Sequence, residues 1–152
     1  MTRIETIMSR RIVAIRSDCE LSVAADTFLR YAVRHLVVVD PDRSVRGILS
    51  AEDVVLAAGA SGSRRIGDQA LLTPQGVHPE DDVRVAADAM LDRMVEAVLV
   101  TEGTGHVIGI VTWSDLVAHV ARDAGRRDPA PLAGAPSVRA SRTCPAEALR
   151  YQ

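Results

Sequence analysis

The apolar positions of this chain follow two alternating patterns, and the alternation occurs twice. A short continuous apolar stretch, Ile12-Val13-Ala14-Ile15, gives way to polar Ser17-Asp18-Cys19-Glu20. Apolar residues then recur at helical spacing through Val23, Ala24, Phe28 and Tyr31, which predicts an amphipathic helix with Ser22 as candidate N-cap. A β-branched run, Leu36-Val37-Val38-Val39, ends at Asp40-Pro41-Asp42-Arg43, whose residue types suit a hairpin turn. Val45-Arg46-Gly47-Ile48-Leu49 is the returning strand, and a second helix is expected to open at Ser50. The uninterrupted apolar runs suggest strands buried on both faces.

Sliding the sequence by 62 positions lays residues 3–55 on 65–117 without a gap. Arg3-Ile4 falls on Arg65-Ile66, Val23-Ala24-Ala25-Asp26 on Val85-Ala86-Ala87-Asp88, Gly47-Ile48 on Gly109-Ile110, and Asp53 on Asp115. The second copy therefore reads the same way. A weaker strand lies around Gly76-Val77, and His78-Pro79-Glu80-Asp81 forms the loop. Val85, Ala86, Met90 and Met94 make the helix, followed by strands Ala97–Thr101 and Val107–Val111 and a helix from Thr112. Each copy is β-α-β-β-α. The boundaries expected are repeat 1 at 1–58, a small-residue linker at 59–64, repeat 2 at 65–122 and a flexible tail at 123–152, which has no clear period outside Ala146–Tyr151. Two copies exclude a long stacked array and predict an α/β (α+β) fold. Its pseudo-twofold related halves would pack through their sheets, with a ligand-sized cleft between them.

Composition narrows this only slightly. Aromatics are limited to Phe28, Tyr31, Trp113 and Tyr151, so the core must be aliphatic, and the lone Trp113 is expected to pack, at a dimer surface, rather than to border the cleft as a stacking platform. A net charge of −2 gives no general attraction to nucleic acid or membrane. The short basic pairs Arg10-Arg11 and Arg64-Arg65 lack the aromatic interleaving of a nucleic-acid surface. No apolar run nears 18 residues and the N-terminus is unlike a signal peptide, so a cytoplasmic protein is expected. Cys19 and Cys144 fit neither a zinc spacing nor a CxxC pair and are read as incidental thiols.

The chemistry lies in two segments, Gly47-Ile48-Leu49-Ser50-Ala51-Glu52-Asp53 and Gly109-Ile110-Val111-Thr112-Trp113-Ser114-Asp115. Each places a hydroxyl where a strand ends and an acid three residues on. One reading is a helix capping box. The other uses the same parts for a ligand. A helix N-terminus attracts anions, the hydroxyl can donate to phosphate, the acid can accept from two vicinal sugar hydroxyls, and Gly admits a close approach. That equipment suits a nucleoside phosphate.

The repeat resembles the cystathionine-β-synthase-type (CBS) domain, and the tandem resembles a CBS pair, or Bateman module, over residues 3–122. The likeness rests on Ile7-Met8-Ser9, on Arg34-His35-Leu36-Val37-Val38-Val39-Asp40 and on the two Gly-to-Asp segments. It implies adenosine-containing ligands such as AMP, ADP, ATP, S-adenosylmethionine or NAD. Ser50 and Thr112 would contact phosphate, Asp53 and Asp115 would hold ribose, and the strand openings at Val13-Ala14 and Gly76-Val77 would sandwich the base. It also implies a homodimer, with the helices opening at Ser50 and Thr112 as candidate contacts. Many family members carry Pro where this chain has Val37 and Leu99.

The two copies differ where ligand charge would be felt: Arg34-His35 precede the strand of the first, Glu96-Ala97 that of the second. The copy with Arg34 and His35 is expected to bind an anionic nucleotide more tightly. The four histidines, His35, His78, His106 and His119, form no catalytic or metal-binding spacing. The leading expectation is a non-enzymatic regulatory module. It would need no cofactor, take an adenine nucleotide as regulatory ligand, and signal to an effector protein on another chain. The alternatives are a ligand-free dimerisation or interaction scaffold, and an S-adenosylmethionine or NAD sensor.

Overall fold

A computed structural model describes residues 1–59, 64–69, 71 and 76–125, and the backbone of Glu147–Leu149. The fold is mixed α and β, as the alternating patterns predict. The first repeat supplies β1 (Ile12–Arg16), α1 (Leu21–Tyr31), β2 (His35–Val39), β3 (Val45–Ser50) and α2 (Ala51–Ala58). The second supplies α3 (Val83–Arg93), β4 (Ala97–Glu102), β5 (His106–Thr112) and α4 (Trp113–Asp123). Beyond them lies a short strand, β6 (Glu147–Leu149). Most of the expected tail, and the linker residues 60–63, fall outside the described residues.

The chain forms two compact units, cut differently from the sequence repeats. The first-repeat unit holds one sheet in the order β3-β2-β1-β6. β2 and β3 are an antiparallel hairpin with His35 opposite Ser50, β1 runs parallel to β2 with Ala14 opposite Val37, and β6 runs antiparallel to β1. Val13, Ile15, Leu36, Val38 and Leu49 pack with Ala24 and Phe28 of α1 in one apolar core. Ile66, fully buried, completes that core although it opens the second repeat. The Ile66 and Gly67 N–H groups donate to the Cys19 and Ser17 carbonyls at 2.9 and 2.8 Å.

The second-repeat unit makes the reciprocal exchange. The 3-10 turn Ile4–Thr6 packs among Val77, Ala86, Met90, Val98, Val100 and Val111, with Ile4 fully buried. Ser9 joins the β4-β5 hairpin by bridging to Ile110, and Val77 bridges to Val100 in parallel. Both units use one register: Ile15 faces Val38 as Val77 faces Val100, each pair shifted by 62.

Several local expectations change. The N-cap of α1 is Glu20, not Ser22, whose hydroxyl instead donates to the Glu20 carboxylate at 3.5 Å. The reason is tertiary: the Leu21 N–H donates to the Arg64 carbonyl at 2.7 Å, so a distant segment fixes where the helix begins. Trp113 is 48 % exposed on its own unit, which does not test packing against a second copy. Cys19 is disulfide-bonded rather than an incidental thiol, and Cys144 lies outside the described residues.

Candidate functional site

In the first-repeat unit the hairpin register sets His35, the first residue of β2, opposite Ser50, the last of β3. β1 runs parallel to β2, so it also begins at this end of the sheet. Val13, Ala14, Arg34, His35, Ser50 and the first turn of α2 with Asp53 are therefore gathered at one sheet end. The second-repeat unit repeats the arrangement, with Ala97 opposite Thr112, Asp115 in the first turn of α4, and Gly76-Val77 beside β4.

Both Gly-to-Asp segments form complete capping boxes. Ser50 Oγ accepts the Asp53 N–H at 3.1 Å while Asp53 Oδ2 accepts the Ser50 N–H at 2.8 Å. Thr112 Oγ1 accepts the Asp115 N–H at 3.4 Å, and Asp115 Oδ2 accepts the Thr112 N–H at 2.8 Å. A further donor at each helix start is taken by the preceding strand: Ala51 N–H bonds the Arg34 carbonyl at 3.0 Å and Trp113 N–H bonds that of Glu96 at 2.8 Å. Of the first three helical N–H groups only the second, Glu52 or Ser114, has no bond among the described residues. An anion at either terminus would therefore meet one free backbone donor, fewer than the dipole argument alone implies.

The boxes differ in one proton. Thr112 Oγ1 also donates to Asp115 Oδ2 at 2.8 Å. Ser50 has no such bond to Asp53, so its hydroxyl donor stays available to a ligand. Arg34, exposed beside it, makes no ion pair with any described residue, whereas the corresponding position in the second unit is the exposed acid Glu96.

The strand openings behave less uniformly than the sequence suggests. Val13 and Ala14 are 3 % and 4 % exposed, and β1 is paired on both edges, by β2 and by β6. Val77 is buried, but among the described residues only β4 pairs with it. Its N–H donates to the Leu99 carbonyl and its own carbonyl accepts the Thr101 N–H, both at 2.9 Å. Gly76 is needed for this approach, since a Cβ there would lie 2.5 Å from Thr101 Cγ2. Gly109 was expected to let a ligand approach; instead its open side faces the N-terminal segment. A Cβ would lie 2.8 Å from Met8 Sδ and 3.1 Å from the Ser9 carbonyl oxygen. Only the long-range pairing of Ser9 reveals this, and no local signal could have.

Among the described residues no group of three or more His, Cys, Asp or Glu could hold a metal ion, and no helix is long and apolar enough to cross a membrane.

Two α/β units of one register, each ending a hairpin in a hydroxyl-to-Asp helix cap, define a tandem repeat module. The CBS domain family model matches residues 4–59 and 74–122, and the chain belongs to that family. It is similar to the CBS domain pair of protein MJ0100 in complex with 5'-methylthioadenosine and S-adenosyl-L-methionine. The TM-score is 0.74 at 22 % identity, covering 81 % of this chain and 98 % of that one. It is also similar to the CBS domain protein PAE2072 from Pyrobaculum aerophilum, complexed with AMP. There the TM-score is 0.67 at 20 % identity, over 76 % of this chain and 90 % of the other. A homoserine O-acetyltransferase of Methanosphaerula palustris is 27 % identical over 123 residues, which is 80 % of this chain and 24 % of the relative. The chain spans about a quarter of the length of the curated relatives it matches.

Proposed function

We propose that this chain is a non-enzymatic regulatory module that binds an adenosine-containing ligand of the AMP, ADP or ATP class and passes its occupancy to an effector protein. Ser50 and Thr112 meet the phosphate, Asp53 and Asp115 the ribose, and Val13-Ala14 and Gly76-Val77 the base. No cofactor enters this role. The carrying observation is the gathering of these residues at one sheet end in each unit, in one register. AMP, S-adenosyl-L-methionine and 5'-methylthioadenosine in the similar structures support the ligand class.

The two sites are unequal. Arg34, His35 and the undonated Ser50 hydroxyl favour an anion in the first-repeat unit, while Glu96 and the internally bonded Thr112 hydroxyl disfavour one in the second. The module works as a homodimer. Trp113, Val117 and Val120, exposed by 48, 52 and 65 %, share one face of α4, and Val55 and Leu56 are exposed on α2. The place of action is the cytoplasm.

A thermal-shift titration with AMP tests the reading, with folding checked by circular dichroism. AMP is expected to stabilise the wild type and to have no effect on the folded Asp53→Ala, Asp115→Ala double variant. A wild type indifferent to AMP, S-adenosylmethionine and NAD would favour the ligand-free scaffold. One observation speaks for that second reading: both boxes are complete without a ligand, and among the described residues no buried side-chain N or O lacks a partner.

A further inference from the structure

We propose that β6 is a displaceable competitor for the base at the first-repeat site: the nucleotide enters there only by exchange for the chain's own strand, while the second-repeat site is open. This rests on the proposed nucleotide reading for the ligand, and on backbone register alone for the strand.

Backbone direction makes the overlap specific. Val77 gives its N–H to the Leu99 carbonyl and accepts the Thr101 N–H, both at 2.9 Å. Ile15 stands to Val38 as Val77 stands to Val100, so Ile15 spends its own peptide groups on β2. Peptide groups of neighbouring strand residues point to opposite edges, which turns those of Ile12 and Ala14 to the far edge. There β6 runs antiparallel, with Leu149 opposite Ile12 and Glu147 opposite Ala14. Adenine carries a donor and an acceptor side by side, and they match the C=O and N–H of one strand residue. At Ala14, one of the two residues assigned to the base, β6 uses that same pair of groups. Strand and base therefore exclude each other.

The second-repeat unit is built differently at this edge. The counterpart of Ala14 is Gly76, whose peptide groups have no partner among the described residues. Beyond it the edge is closed, because the His78 N–H donates to Asp81 Oδ2 at 2.8 Å and the His78 carbonyl accepts the Asp81 N–H at 3.1 Å. The sequence counterpart of Ile12 is Pro74, which has no N–H to give. A strand seated as β6 is would find a donor at Gly76 alone. That edge suits a base and not a strand.

β6 is weak enough to be displaced. It has three residues, and each of its hydrogen bonds replaces one to water, so its net contribution is small. Such segments are the parts of a fold that open first. The apparent affinity of the first-repeat site is its intrinsic affinity scaled by the open fraction, and a strand closed about nine-tenths of the time weakens binding about tenfold. This offsets the advantage that Arg34 gives that site, and the advantage is read in full only with the edge open.

Leu149→Pro removes the N–H that faces Ile12 and tests the exchange in the full chain. Hydrogen exchange reads the strand without any nucleotide. The Ala14 amide is expected to exchange about tenfold faster in Leu149→Pro than in the wild type, while the Ile15 amide, bonded to β2, is unchanged. In the wild type, saturating AMP should speed exchange of the Glu147 and Leu149 amides by a similar factor. Equal Ala14 protection in the two proteins, or β6 amides indifferent to bound AMP, would overturn the competition. AMP is then titrated with the second-repeat site silenced by Asp115→Ala, where Leu149→Pro should tighten binding about tenfold. An exposed Ala14 edge with unchanged AMP affinity overturns the competition and leaves the nucleotide reading standing. An exposed edge with no AMP binding in either protein overturns the nucleotide reading, and the competition with it.

Discussion

Ser9 and Ile110, a hundred residues apart, exchange two backbone hydrogen bonds of 2.9 and 3.0 Å. The contact makes the N-terminal segment a structural part of the second-repeat unit and explains why Gly109 carries no side chain.

Gly109→Ala should therefore act through that segment. The new methyl meets Met8 Sδ, which can swing away, and the Ser9 carbonyl, which cannot. A loss of about 1–3 kcal/mol is expected from overpacking. Hydrogen exchange should show the Ser9 and Ile110 amides losing protection before α1 does.

Helices α1 and α3 both end on a non-glycine residue in the left-handed region, Ala32 at φ 51° and Met94 at φ 54°. An L-residue there costs roughly 1–2 kcal/mol that glycine avoids. Ala32→Gly and Met94→Gly should each raise stability by about 1 kcal/mol, read as a higher urea midpoint with unchanged slope. A lowered midpoint would show that the methyl or thioether contributes packing that outweighs the backbone relief.

Arg34 and Glu96 can be exchanged without disturbing either cap, because only their carbonyls bond the helix starts. Arg34→Glu should weaken AMP at the tighter site about tenfold, ~1.4 kcal/mol, and Glu96→Arg should strengthen the weaker one. Calorimetry in the Leu149→Pro background, with the β1 edge open, checks both. Two sites of equal affinity there would refute the inequality.

Asp82 caps α3 by accepting the Arg84 N–H at 3.0 Å, and this bond, with help from the Arg84 side chain, holds its carboxyl below the usual value of 3.8. A depressed carboxyl stabilises the fold above its unfolded pKa, and that contribution fades as pH falls through the lower folded value. Acid unfolding followed by circular dichroism should lose part of its steepness below pH 3.8 in Asp82→Asn, which keeps a capping oxygen but does not titrate.

The strands and helices were readable wherever the cause is local. The β-branched run at Leu36–Val39 is β2, the Asp40–Arg43 turn joins it to β3, and Ser50 and Thr112 are N-caps because each hydroxyl bonds a backbone within three residues. The start of α1 was misread because its first N–H is satisfied by Arg64 and not by a neighbour such as Ser22. The role of Gly109 was misread for the same reason. Its partner is a hundred residues away, and a glycine looks alike whether a ligand or a chain segment approaches it.

The amino-acid sequence by itself determined the doubled alternation of strands and helices, the two hydroxyl-to-Asp caps and the charge difference between Arg34 and Glu96. These follow from periodicity, capping and residue type, which act over a few positions. Only the tertiary structure decided that Ile4 and Ile66 are exchanged between units, that Cys19 is bonded, and that β6 closes the edge of β1. Those choices join residues distant in the chain. They are set by which buried surface and which unpaired strand edge a segment can reach, and no local pattern records that.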